Sequence, residues 1–225
     1  MHATGPSRII AVRHGESEAN LAYREAGDEP LVYGRGDDEV TLTPLGREQA
    51  AALGALLAAL PEEEAPDLVR CSPFRRALDT WAIARRVWGA DPPVTVDERL
   101  RDRGRGELGR YNEAAIALRR PEELARLRAE GEYRYRPPGG ESFGDVAARV
   151  RDFLAGLRGR ADGRRVLIVA HDAVVLALRH VIAEAPDADL AELDAFTPIR
   201  NGSVSTWHTV GGRLTLLDFN AGGHL

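Results

Sequence analysis

The stretch Arg8-Ile9-Ile10-Ala11-Val12-Arg13-His14-Gly15-Glu16-Ser17-Glu18-Ala19-Asn20 runs from a short apolar segment straight into an arginine, a histidine and a glycine. Ile9 to Val12 is brief, rich in β-branched residues and closed off by polar ones, as an interior strand of an α/β sheet would be. His14 then stands on the loop leaving that strand. Open α/β sheets bind ligands in the crevice beyond the carboxyl ends of their strands, so Arg13, His14 and Glu16 make a polar site there. Gly15 would let the backbone approach a ligand closely or take a turn that a side chain forbids. One histidine after a strand is as often structural as chemical, so the rest of the chain has to decide.

Far downstream the same pattern returns, with Arg165 to Ala170 running into His171-Asp172. Between the two lie signals for alternating helices and strands. Thr43 caps a helix that has Pro44 at its first position and stops before Pro61. A strand follows at Asp67 to Cys71, and Ser72-Pro73 ends it and opens a helix with Arg75 and Arg76 in its first turn. A helix start after a strand offers free amides to an anion, and an arginine there adds a fork of donors. Val94 to Val96 reads as a strand, and residues 97–111 as a loop carrying Asp97, Glu98, Asp102 and Glu107. Residues 112–130 read as a helix broken at Pro121, and Glu141-Ser142 opens an amphipathic helix to about Leu157. A helix over Ala173 to Glu184 leads into a linker rich in Ala and Asp, then a hairpin around Gly211-Gly212 that supplies antiparallel edge strands. Residues 21–41 are polar and interrupted by Gly27, Pro30, Gly34 and Gly36, which predicts a long loop over the site, with Tyr33 and Arg35 on its surface.

With 225 residues the chain can bury one sizeable core, and a single domain over 1–225 is expected. A formal charge of −5 argues against nucleic acid or an anionic membrane as the main partner. All 30 basic residues are arginine, so any phosphate clamp must be built from arginine, the better bidentate donor. Cys71, the one cysteine, excludes an internal disulfide and fits a reducing compartment. No stretch approaches the roughly 20 apolar residues of a membrane span, and the leader lacks an apolar core, so a cytoplasmic protein is expected.

Taken in order, Arg13-His14-Gly15-Glu16 with Asn20, then Ser72-Pro73-Phe74-Arg75-Arg76-Ala77 with Thr80, then Gly140-Glu141-Ser142, then Ala170-His171 resemble the histidine phosphatase superfamily, also called phosphoglycerate mutase-like. The RHGE opening is similar to the branch of mutases and phosphatases rather than to the acid phosphatase branch. With the elements above, the resemblance implies a three-layer αβα sandwich around a mostly parallel sheet. It implies that His14 is the nucleophile and that Arg13, Arg76 and His171 bind the phosphoryl oxygens, with Asn20 among the substrate-binding residues. Arg76 takes that role rather than Arg75 because the family's arginine directly precedes an alanine.

The chemistry suits those residues. Neutral imidazole is a good nucleophile near neutral pH, and nearby guanidinium groups disfavour its protonation. Phosphoryl transfer asks for in-line positioning and charge neutralisation, which arginines and a second histidine supply without a metal or cofactor. The proton donor is the open assignment. The family places a glutamate four residues before a glycine in this loop, and alignment on Gly106 puts Asp102 there, one methylene shorter. Asp172 is the second choice, because an aspartate follows the second histidine in the acid phosphatase branch. Glu98 is a further rival.

Other candidates read as structural. Glu16 can orient backbone, Glu141 can support a helix cap, and His2, His180, His208 and His224 have no metal-ligand spacing, so no metal is expected. Cys71 invites a cysteine-phosphatase reading, but Ala77 stands where that signature has arginine. Arg119, Arg120, Arg126, Arg128, Arg134 and Arg136 could form a basic lid, yet Glu122, Glu123 and Glu130 among them favour a solvated surface. The expected function is a phosphatase acting on small phosphomonoesters, with a small phosphorylated metabolite as partner and a homodimer left open. The alternatives are a cofactor-dependent phosphoglycerate mutase, which the short stretch between Asp102 and Gly140 disfavours, and a catalytically silent phospho-ligand binding module.

Overall fold

A computed structural model describes residues 5–184 and 198–225. His2 and most of the linker rich in Ala and Asp lie outside the described residues. The strands are β1 (Arg8–Arg13), β2 (Leu68–Cys71), β3 (Val94–Val96), β4 (Arg165–Ala170), β5 (Val204–Val210) and β6 (Arg213–Ala221). The helices are α1 (Glu18–Ala26), α2 (Pro44–Ala59), α3 (Arg75–Trp88), α4 (Glu113–Arg119), α5 (Pro121–Glu130), α6 (Phe143–Arg160) and α7 (Asp172–Ile182).

The strands form one sheet in the order β3-β2-β4-β1-β5-β6. β1, β2 and β3 run parallel to their neighbours through β4, whereas β5 and β6 add on antiparallel beside β1. Period-two alternation along β1 sorts its apolar residues between two faces. Ile9 and Ala11 join the core under α6 and α7, which holds Val150, Phe153, Val174 and Leu178. Ile10 and Val12 join the other core with Leu53 and Leu57 of α2 and Trp81 and Ala84 of α3. β4 splits the same way, Ile168 to one side and Leu167 and Val169 to the other. A sheet buried on both faces needs continuous apolar strands, which is what the sequence of β1 and β4 shows. The result is the expected three-layer α/β sandwich.

That topology creates the crevice. The chain leaving β1 goes on to α2 on one face, while the chain leaving β4 goes straight into α7 on the other. β1 and β4 are adjacent and parallel, with Arg13 opposite Ala170, so their carboxyl ends open onto a gap at a topological switch point. The His14 amide donates to the Ala170 carbonyl at 3.0 Å and ties the two ends together.

Two expectations need correction. The predicted loop begins later than residue 21, because α1 covers its first residues. Ser17 caps this helix: its side chain accepts from the Asn20 amide, and Asn20 Oδ1 accepts from the Ser17 amide. No residue of α1 is buried, so there was no apolar period to reveal it. Gly15, for its part, does not make room for a ligand. A Cβ on Gly15 would sit 2.2 Å from the Gly46 carbonyl oxygen, and one on Gly46 would sit 2.0 Å from that of Glu16. These two glycines let the first turn of α2 press its backbone against the loop that carries His14.

Candidate active site

His14, 2% exposed, stands at the carboxyl end of β1 with its ring orientation fixed by two bonds. Nδ1 lies 2.7 Å from the Gly15 carbonyl, which can only accept, so Nδ1 carries the proton. Nε2 therefore presents its lone pair, and the Arg76 Nε–H donates to it at 3.0 Å. Burial first, then the charges of Arg76 and Arg13 and the nearby His171, hold the imidazole well below the usual histidine range. The ring is thus neutral and nucleophilic at neutral pH.

His171, fully buried, ends β4 with its ring centroid 5.1 Å from that of His14. The Ser72 hydroxyl lies 2.7 Å from Nε2 and accepts from the Phe74 amide; with no other acceptor for its own proton among the described residues, the hydroxyl donates to Nε2. That leaves Nδ1–H as a buried donor with no hydrogen-bond partner among the described residues, 3.5 Å from Asp102 Oδ2. Burial and the charges of Arg76, Arg13 and Arg149 keep this ring neutral as well.

Arg76 comes from the first turn of α3 and is 3% exposed. Besides His14 it holds Asp102 Oδ2 through Nη2 at 2.8 Å, and through Nη1 both the backbone carbonyl and the carboxylate of Asp37. Its backbone carbonyl accepts from the Thr80 hydroxyl, which in turn accepts from the Gly15 amide at 3.1 Å. Thr80 thereby links α3 to the His14 loop. Arg13 donates through Nη1 to the Ile199 carbonyl, has Nη2 3.6 Å from Asp172, and keeps a buried Nε–H without a partner among the described residues.

Arg13, His14, Asn20, Arg76, Asp102 and Asp172 line one cavity of about 1070 Å³. His171 lies beneath its floor rather than on its wall. Glu98 is not among the lining residues: it is exposed, at the start of a 3₁₀ turn, and drops out as a rival to Asp102 on placement alone. Asn20 Oδ1 is spent on the α1 cap and on Asn201. Glu16 accepts from the Thr43 hydroxyl at 2.8 Å and pairs with Arg24, so its carboxylate holds side chains rather than the backbone it was expected to orient.

Sequence reading missed Asp37 and Arg149, and also Arg103, Arg105 and Arg110, which line the cavity. Asp37 reaches the site from the loop between α1 and α2. Arg149 of α6 donates to the Arg99 and Asp102 carbonyls at 2.6 and 3.0 Å and pairs with Glu141 at 3.0 Å. Glu141 also accepts from Arg101 and from the Gly104 amide. Its carboxylate serves the Asp102 loop, while Ser142 and Asp145 cap α6 without it. None of the six predicted surface arginines lines the cavity; Arg120 pairs with Glu107 and Glu122, Arg126 with Glu123 and Glu130, and Arg136 with Asp145. Cys71 is a buried core residue, its thiol pushed up to about 12 by desolvation. Among the described residues no three His, Cys, Asp or Glu side chains converge to hold a metal ion, and no helix is long and apolar enough to cross a membrane.

A family model described as the histidine phosphatase superfamily, branch 1, matches residues 9–222. The chain is 34% identical over 190 residues to a glucosyl-3-phosphoglycerate phosphatase of Mycobacterium tuberculosis, covering 81% of this chain and 78% of the relative. It is 32% identical over 192 residues to a 2,3-bisphosphoglycerate-dependent phosphoglycerate mutase of Cytophaga hutchinsonii, covering 84% and 83%. The solved structure of a mycobacterial glucosyl-3-phosphoglycerate phosphatase in complex with VO3 superposes with a TM-score of 0.76 at 29% identity, covering 96% of this chain and all of that one.

Proposed function

Given that the chain belongs to the histidine phosphatase superfamily, we propose that it is a metal-independent phosphatase that hydrolyses small phosphomonoesters through a phosphohistidine at Nε2 of His14. The observation that carries this reading is the fixed tautomer of His14. Its Nδ1–H is held by a carbonyl and its Nε2 lone pair faces a buried guanidinium.

In the first step the Nε2 lone pair forms the N–P bond as the bond from phosphorus to the ester oxygen breaks. The leaving oxygen takes a proton from the Asp102 carboxyl. Arg76 and Arg13, which line the cavity, bind the phosphoryl oxygens, and the buried His171 ring supports the site from behind. In the second step water attacks phosphorus, the P–N bond breaks, and the water proton returns to Asp102. Asp102 is favoured over Asp172 because its carboxylate lies against both Arg76 and His171, whereas Asp172 touches Arg13 at 3.6 Å and is half exposed.

A panel of phosphomonoesters tests the proposal. Wild type should turn over at least one of them with chelator present, and intact-mass measurement should show one added phosphoryl group during turnover. His14→Ala should lose both signals, by about 10⁴-fold or more in rate. The mutase reading keeps support from the mutase relative, and transfer between the carbons of phosphoglycerate in the presence of bisphosphoglycerate would establish it instead.

A further inference from the structure

Every edge of the Arg76 guanidinium is engaged: Nε on His14, Nη2 on Asp102, Nη1 on Asp37. A phosphoryl group on His14 Nε2 therefore meets an arginine already neutralised from two sides. Arg13 and Arg76 face the carboxylates of Asp37, Asp102 and Asp172, so these five groups sum to −1 with all three ionised, and to 0 with Asp102 carrying the proton it gives to the leaving oxygen, before any dianion enters. One carboxylate has to let go.

The two partners of Arg76 are held differently. Asp102 lies in a loop pinned by Arg149 and Glu141, and its second oxygen accepts from the Arg103 amide at 2.8 Å. Asp37 sits in a 3₁₀ turn of three residues just after Gly34 and Gly36, its carboxylate half exposed. Among the described residues its carboxylate has Arg76 as its one ion-pair partner. We propose that Asp37 is a specificity-determining residue of this site: its carboxylate competes with the phosphoryl group for Arg76 and thereby limits how tightly free inorganic phosphate is retained. The proposal rests on the phosphatase reading, in which Arg76 binds phosphoryl oxygens and phosphate is the product.

The competition falls unequally on substrate and product. An ester gains contacts with the rest of the cavity, whereas bare phosphate has only the phosphoryl donors, so losing Arg76 to Asp37 costs phosphate the larger share of its binding. Several charged or titratable groups face Asp37: Arg76 of α3, Asp102 and Arg105 of the following loop, the neutral phenol of Tyr23 of α1 and its neighbour Asp38. Partial desolvation and the Asp102 carboxylate hold Asp37 above the usual carboxylate range, against the pull of Arg76. As pH falls, Asp37 protonates, its carboxylate lets go of Arg76, and phosphate binds more tightly.

Calorimetric titration of the full chain with inorganic phosphate, from neutral to mildly acidic pH, tests this in wild type, Asp37→Asn and Asp38→Asn. Asp37→Asn should bind phosphate about three- to tenfold more tightly at neutral pH, since a half-exposed ion pair is being removed. That advantage should shrink as pH falls, and the inhibition constant for phosphate should drop more than KM for an ester. Asp38→Asn removes the same charge from the same turn without touching Arg76, and should shift phosphate binding far less. Unchanged or weaker phosphate binding in Asp37→Asn overturns the proposal, as does an equal effect of Asp38→Asn. Turnover lost in His14→Ala together with no shift in Asp37→Asn would remove this proposal alone. No phosphate binding by any of the three proteins would remove the phosphatase reading with it.

Discussion

A neutral imidazole has one proton to place, and in His14 the Gly15 carbonyl places it on Nδ1. That choice leaves the Nε2 lone pair facing the Arg76 guanidinium and, in the proposed mechanism, gives the neighbouring side chains distinct tasks. Protonating the leaving oxygen matters most when that oxygen is a poor leaving group. Asp102→Asn should therefore slow hydrolysis of an alkyl phosphate by about 10²-fold or more, and that of nitrophenyl phosphate by much less. Asp172→Asn should spare the ratio of the two rates. Parallel kcat measurements on both esters decide between the carboxylates, and a collapsed ratio in Asp172→Asn with a preserved one in Asp102→Asn would reverse the assignment.

Between residue and fold stands the loop from Asp97 to Asn112, which carries Asp102 and has only short 3₁₀ turns of its own. Its geometry is imposed from outside, by Arg149 of α6 on two of its carbonyls and by Glu141 on the Gly104 amide. Gly106 adds a contact that no side chain permits: a Cβ there would lie 2.1 Å from the Pro138 carbonyl oxygen, and its φ is +52°. Arg149→Met removes the donors to the Arg99 and Asp102 carbonyls and leaves the partly buried Glu141 carboxylate to Arg101 and the Gly104 amide. It should cost about 1–3 kcal/mol of stability and lower kcat by about tenfold with a smaller change in KM, read from denaturant melts and steady-state kinetics. These elements also show what the sequence discloses. β1 and β4 were legible because a strand buried on both faces must be apolar throughout, and α2 because its Thr43-Pro44 start obeys capping chemistry. The α1 helix was not, since a helix with no buried face has no pattern to show. Arg149 and Asp37 were equally silent, because their meaning lies in partners 47 and 39 residues away along the chain.

For the molecule as a whole, the sheet buries two imidazoles between two apolar cores. Both rings sit well below the ordinary histidine value of 6.5 in the fold and return to it on unfolding. Below pH 6.5 the unfolded chain thus binds more protons than the folded one, and stability falls with pH until the rings protonate in place. Each histidine should contribute about 1.4 kcal/mol per pH unit to that slope. Urea midpoints across this range should fall less steeply for His171→Asn than for wild type, and equal slopes would contradict the burial of a neutral ring. The bond from the His14 amide to the Ala170 carbonyl joins the ends of the two central strands, so the reacting group is anchored in the sheet itself and not in a movable flap. Thermal inactivation is accordingly tied to melting of the protein's interior: a molecule whose proposed nucleophile has lost its place has also lost the centre of its architecture.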